Sequence, residues 1–185
     1  SQEFVDGLDD EVYDVSIDTT FEEGQMKVGE HTVEGANDET VLFIAHLDHV
    51  GMANDDLSGV AAGVELMQRL GKGDDLTYTY KLLIVPEMIG SAAYLSTHSE
   101  TAEDFEYGFF LETLGNDNRV MLQHSMFGDS RVDRIAERVL RHRYDEFEVR
   151  GFREKAGDDE LVYEGPGFEV PTLSVSRYPY PEYHT

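Results

Sequence analysis

A chain of 185 residues with 40% hydrophobic composition suits a single domain with one substantial core and is too apolar to be disordered. Its 39 Asp and Glu against 14 Lys and Arg give a formal net charge of −25, a balance that argues against nucleic acid and anionic membrane as partners. There is no cysteine, so disulfides and thiolate sites are excluded and any metal must be held by nitrogen and oxygen.

In chain order, Ser1-Gln2-Glu3-Phe4 does not read as a secretory signal, and no apolar stretch has the length needed to cross a bilayer. Tyr13 to Ile17 alternates apolar and polar residues and predicts a strand; Met26 to Val33 predicts another, with Glu34-Gly35 turning the chain. Val41 to Leu47 is too continuously apolar for a surface strand and belongs at a sheet centre. Leu57 begins an apolar helix that ends near Gly71, with Asp55 or Asp56 at its N-cap, the role preferred for Asp56. Thr77 to Val85 predicts a second central strand, Ile89 to Thr97 a short helix and Tyr107 to Leu111 a third strand. Val120 to Gln123 reads as a short strand. Asp129 to Arg143 carries Val132, Ile135, Ala136, Val139 and Leu140 at helical spacing. Phe147 to Phe152 and Pro171 to Ser176 read as further strands, separated by the turn Gly165-Pro166-Gly167. Strands alternating with helices imply an α/β sandwich with a partly parallel sheet.

Chemistry is expected where these strands end. His46, Asp48 and His49 follow the first inner strand, Glu87 the second and Glu112 the third. Asp55 lies on the loop entering the first long helix, and His184 lies near the end of the chain. Ligands and metals gather at the carboxyl ends of strands in open α/β sheets. Charged groups are rarely left where an apolar strand leaves the core unless something compensates them. Imidazole with carboxylate suits zinc.

These residues carry a resemblance. His46-x-Asp48, Asn54-Asp55 before Ser58-Gly59, Glu87 before Gly90-Ser91, Leu111-Glu112-x-x-Gly115 and Tyr183-His184-Thr185 occur in the order found in di-zinc aminopeptidases. The chain is similar to a family of uncharacterised aminopeptidase-like proteins in that superfamily, through Ile17-Asp18 to Gly24, Gly29-Glu30, Ala53-Asn54-Asp55, Pro86-Glu87, Asp159-Glu160, Pro166-Gly167-Phe168 and the terminal Pro181-Glu182-Tyr183-His184-Thr185. The resemblance runs from about Tyr13 onward. It implies a zinc exopeptidase-like fold: a three-layer α/β sandwich, its sheet mixed but mostly parallel, with helices on both faces. It also implies one aminopeptidase-like domain over residues 1–185, without the N-terminal segment and inserted β-rich domain of longer relatives.

By the same resemblance His46 binds zinc, with Asp48 orienting its imidazole. Asp55 bridges two metals, Glu112 stands where the superfamily has an aspartate ligand, and His184 binds the second ion. Three departures matter. Pro86-Glu87 replaces a Glu-Glu pair, so Glu87 is either general base or ligand. Glu112 is one methylene longer than the expected aspartate. His49 is extra and either replaces a ligand or adds one, which leaves one or two ions open.

The expected function is a zinc-dependent hydrolase of amide bonds, most simply an aminopeptidase acting on a peptide or another small amide. Glu87 would be its base, and Asp159 or Glu160 would receive the α-amino group of the substrate. The rival is a non-catalytic aminopeptidase-like module that binds metal or a ligand. A phosphate-binding role is weak, because no glycine-rich P-loop is present. The charge balance predicts a protein of a high-salt cytoplasm, since at molar salt the screening length falls to about 3 Å and self-repulsion fades.

Overall fold

The computed structural model describes residues 2–9, 12–154, 157–180 and 183–184. The helices are α1 Gln2–Asp6, α2 Leu57–Leu70, α3 Ile89–Thr97, α4 Ser99–Ala102, α5 Arg131–Arg143 and α6 Glu160–Tyr163. The strands are β1 Gly29–Val33, β2 Thr40–His46, β3 Thr79–Val85, β4 Phe105–Leu111, β5 Arg119–Gln123, β6 Glu148–Arg150 and β7 Thr172–Tyr178. All seven strands join one sheet in the order β1-β3-β2-β4-β7-β5-β6. The inner strands β3, β2, β4 and β7 are mutually parallel. Strand β1 runs antiparallel to β3, and β5 antiparallel to β7.

Strand β2 is buried along its whole length, as its unbroken apolar run predicts. Period-two alternation splits its side chains between two layers of core. Val41 and Phe43 pack with Met67 of α2 and Val132 of α5. Leu42 and Ile44 point the other way, into Tyr94 and Leu95 of α3, Ala102 of α4 and Tyr163 of α6. Helices thus cover both faces, giving the three-layer architecture expected from the sequence. Each such aliphatic side chain contributes roughly 1.5–3 kcal/mol by leaving water.

The connection after β2 leads to β3 on one side, and the next inner strand, β4, lies on the other. The sheet therefore reverses direction at β2, and crevices form outside strand ends at such a reversal.

The predicted elements hold, with ends shifted by at most three residues, except the first. Tyr13 to Ile17 forms neither strand nor helix. Its alternation is real, but no described strand pairs with it, and Val15 and Ile17 stand 82% and 79% exposed. Alternation marks a surface awaiting a sheet; it does not supply the sheet. The second predicted strand starts at Gly29 rather than Met26, and the one expected over Phe147 to Phe152 shrinks to β6.

Candidate metal centre

Because β2, β3 and β4 are parallel, their carboxyl ends open on the same edge. His46 is the last residue of β2 and pairs with Val85, which puts Glu87 just past the sheet edge beside it. Ile44 pairs with Phe110, so two residues further along each strand His46 and Glu112 reach the same level. The His46 ring stacks on Phe110, with centroids 6.1 Å apart.

The motif between Asn54 and Gly59 folds into a scaffold in which each residue has a separate task. Asn54 Oδ1 accepts the Gly115 N–H at 2.7 Å, and Ser58 Oγ accepts the Leu114 N–H at 2.8 Å. Asp56 caps α2 by accepting the Gly59 N–H at 2.9 Å, and it also takes the N–H groups of Thr113 and His46 at 3.1 and 3.3 Å. Burial nevertheless pushes its pKa up to about 7, outweighing the nearby His46 and the three amides. Gly59 is required for contact: a Cβ there would lie 2.3 Å from the Leu111 carbonyl oxygen. The same scaffold aims Asp55 into the pocket.

Asp55 is the meeting point of three imidazoles. Its Oδ1 lies 3.0 Å from His46 Nε2, and its Oδ2 lies 2.7 Å from His184 Nε2 and 3.5 Å from His49 Nε2. On its other side His46 Nδ1 faces Asp48 Oδ1 at 3.2 Å, the arrangement by which a carboxylate fixes a metal-binding histidine. Burial lowers the His46 pKa, but hydrogen bonding to Asp55, the charge of Asp56 and Asp48 raise it further, to about 9. Asp55 is pushed up by burial and brought below its ordinary value by His46 and His49.

The nitrogens themselves call for a cation. His49 Nδ1 sits 2.8 Å from the Val50 carbonyl, which can only accept, so Nδ1 donates there and Nε2 is the nitrogen left to face the site. It lies 3.5 Å from Asp55 Oδ2. His49 Nε2 and Asp55 Oδ2 are both buried with no partner of hydrogen-bond geometry. A buried imidazole nitrogen and a buried carboxylate oxygen, neither with a hydrogen-bond partner, fit a metal of imidazole and carboxylate preference.

Ligand atoms of His46, His49 and Glu87 lie within 4.8 Å of one another, and so do those of His49, Asp55 and His184. The structure therefore brings His46, His49, Asp55, Glu87 and His184 together, with His49 common to both groups. Glu112, level with His46 and buried, falls outside these two groups among the described residues.

His184 is 48% exposed on its side chain, yet it is held. Its ring stacks on Tyr183 at 3.8 Å and meets His49 at 4.7 Å. Tyr183 in turn packs against Tyr180, and Tyr180 against Tyr178 at the end of β7. Pro181, Glu182 and Thr185 of the terminal motif lie outside the described residues.

Glu87 is steered by two carboxylates, one of which the sequence did not announce. Its N–H donates to Asp48 Oδ2 at 2.9 Å. A hydrogen bond with Asp158, then burial and the Asp158 charge, raise its pKa to about 7. Asp158 is the carboxylate missed from sequence, since only the fold carries residue 158 to residue 87. Asp159 and Glu160 are both fully buried. Asp159 Oδ1 accepts the Met88 N–H at 3.1 Å and the Ser91 hydroxyl at 2.5 Å, and Glu160 Oε1 accepts from Gln123 Nε2 at 2.9 Å. Burial pushes Asp159 up to about 6 despite the Ser91 hydrogen bond.

With this geometry in view, comparison with known proteins is decisive. The profile of a domain of unknown function, DUF4910, matches residues 7–185. The chain belongs to that family. A Clostridium acetobutylicum protein, provisionally named a polysaccharide biosynthesis protein with an aminopeptidase-like domain, is 33% identical over all of this chain and 43% of its own length. A crystal structure from C. acetobutylicum, provisionally named a peptidase, superposes with a TM-score of 0.83 at 32% identity, over 97% of this chain and 42% of that one. BSAP, a zinc aminopeptidase from Bacillus subtilis, shares the fold with a TM-score of 0.68 at 17% identity, over 85% of this chain and 42% of that one. The DUF4910 chain thus spans less than half the length of these relatives. Among its described residues no helix is long and apolar enough to cross a membrane.

Proposed function

We propose that this DUF4910 domain is a zinc-dependent hydrolase of amide bonds, of aminopeptidase type, acting on a peptide or a similar small amide. The convergence of His46, His49, Asp55, Glu87 and His184 into two overlapping ligand groups carries the reading. Zinc bound there, as one ion or two, would polarise the scissile carbonyl and bring the pKa of an attached water toward about 7.

The protein groups have separable tasks. Asp48 holds His46 with Nε2 directed at Asp55, and Asp55, a member of the second group, thereby reaches the first. Glu112 extends the donor set from the end of β4. Glu87 takes a proton from the attacking water and delivers it to the leaving amine. Asp158, partly exposed beside Glu87, keeps that carboxyl ready to hold a proton.

The direct test is release of N-terminal residues from short peptides by the zinc-loaded chain, compared with Glu87→Gln. As the base, Glu87 is worth roughly 10²–10⁴-fold in turnover, so the variant should keep its zinc and lose that factor. Loss of zinc from the variant would make Glu87 a ligand instead. One observation favours the rival module: Pro86 stands where the superfamily carries a second acid. Stoichiometric zinc with no turnover on any peptide would establish that module.

A further inference from the structure

We propose that Asp159 is a positioning residue, which holds the turn at Met88 and through it sets the Glu87 carboxylate in the pocket. The inference rests on the reading of Glu87 as part of the metal centre.

Met88 has φ 54° and ψ −53°, and the Ile89 N–H donates to the Glu87 carbonyl at 2.5 Å. Glu87, Met88 and Ile89 thus form a γ-turn of the rare, strained hand, centred on a residue with a side chain. Such a conformation persists only where its surroundings over-determine it, and it is found where function needs a fixed direction. Here it turns the chain between the end of β3 and the start of α3, and the residue it aims is Glu87.

Two carboxylates supply the restraint. Asp48 Oδ2 takes the N–H of Glu87, on the near side of the turn. Asp159 Oδ1 takes the N–H of Met88 at its centre and the hydroxyl of Ser91 in the first turn of α3. One oxygen therefore ties the turn to the helix, so that neither relaxes without the other. Asp159 is itself anchored from behind. Its neighbour Glu160 takes the Gln123 side chain of β5 through Oε1 and the Asp158 N–H through Oε2 at 3.2 Å. Asp159 is 0% exposed, and its Oδ1 is already committed to the Met88 and Ser91 donors. The buried pair Asp159-Glu160 thus builds the floor on which Glu87 stands.

Positioning and amine binding differ in what replaces the carboxylate. Asparagine keeps a carbonyl oxygen for the Met88 and Ser91 donors but removes the negative charge. Glycine at position 88 reaches positive φ without steric cost, so it should re-form the turn when the tether is gone. The full chain and the variants Asp159→Asn, Asp159→Ala and Asp159→Ala with Met88→Gly would be compared by three readouts. These are titration with zinc alone, amide hydrogen exchange at Ile89, and kcat and KM on an aminoacyl p-nitroanilide.

Asp159→Ala should weaken zinc binding roughly 10- to 100-fold, as loss of a group that orients a ligand does. It should also unprotect the Ile89 amide and lower kcat more than it raises KM. Added Met88→Gly should restore most of the protection and the affinity, and Asp159→Asn should stay close to the unaltered chain. A raised KM in both single variants with zinc affinity unchanged would overturn the proposal, as would a double variant no better than Asp159→Ala. If Asp159→Ala does not fold, Asp159→Asn decides: an unchanged KM supports positioning and a raised one overturns it. Should the unaltered chain bind no zinc, the hydrolase reading fails on its own. Ile89 exchange then judges the tether, with protection lost and regained across the series supporting it and unchanged protection refuting it.

Discussion

Asp55 touches His46, His49 and His184, and the start of α2 beside it is packed to hold it there. Gly59 is the tightest of these supports, since a methyl group would meet both the Leu111 carbonyl and the Asp56 carboxylate at 2.3 Å. Gly59→Ala should therefore destabilise the fold by about 1–3 kcal/mol in urea unfolding, as overpacking does. It should weaken zinc binding as well, because the start of α2 carries Asp55 with it. His46, Asp55 and Glu87 could be expected on one edge from the sequence because each sits at a strand end or beside a helix start, where local pattern fixes position; His184, six residues past the end of β7, was named only through the terminal motif. Asp158 and the strained turn at Met88 were not legible. The first depends on a tertiary approach, and nothing in the side chain of a methionine announces a positive φ.

At the scale of elements, patterning located most of the sheet and both long helices. The continuous apolar run of β2 identified the central strand; of the five apolar residues spaced along α5, Val132, Ala136 and Leu140 form its inward face, while Ile135 and Val139 stand 49% and 52% exposed. The failure at Tyr13 to Ile17 has a definite cause: alternation reports which face wants covering, and pairing is a property of another strand. Capping decided the boundary of α5 more sharply than periodicity. Ser130 accepts the Asp133 N–H while the Asp133 side chain accepts the Ser130 N–H, a reciprocal box that starts the helix at Arg131. Ser130→Ala should cost about 1 kcal/mol. In a domain of this size that lowers Tm by roughly 2–4 °C, which calorimetry would resolve.

Taken whole, the molecule is set by its charge. A surplus of 25 negative charges repels itself in dilute buffer, and five of the 14 Lys and Arg residues are concentrated on α5 as Arg131, Arg134, Arg138, Arg141 and Arg143. We propose that the fold is adapted to high salt; Tm should climb steeply as KCl rises toward molar concentration, and a flat response would refute it. Buried carboxylates add a second dependence. Burial raises Glu164 from 4.5 to about 7, although it accepts the N–H groups of Thr172 and Met126. The folded state therefore holds this proton more tightly than the unfolded chain. The resulting stability is complete below pH 4.5 and is lost as pH climbs through about 7. Metal-free protein should unfold at lower urea concentration at pH 8 than at pH 5.5, and Glu164→Gln should flatten that slope. His46, raised from 6.5 to about 9, bends the curve the same way at higher pH. The crowding of imidazoles on one carboxylate has a consequence for anyone loading the site. A divalent guest must displace hydrogen ions to enter, so a lightly buffered sample should turn acid on loading, and the heat absorbed or released should change with the ionisation enthalpy of the buffer.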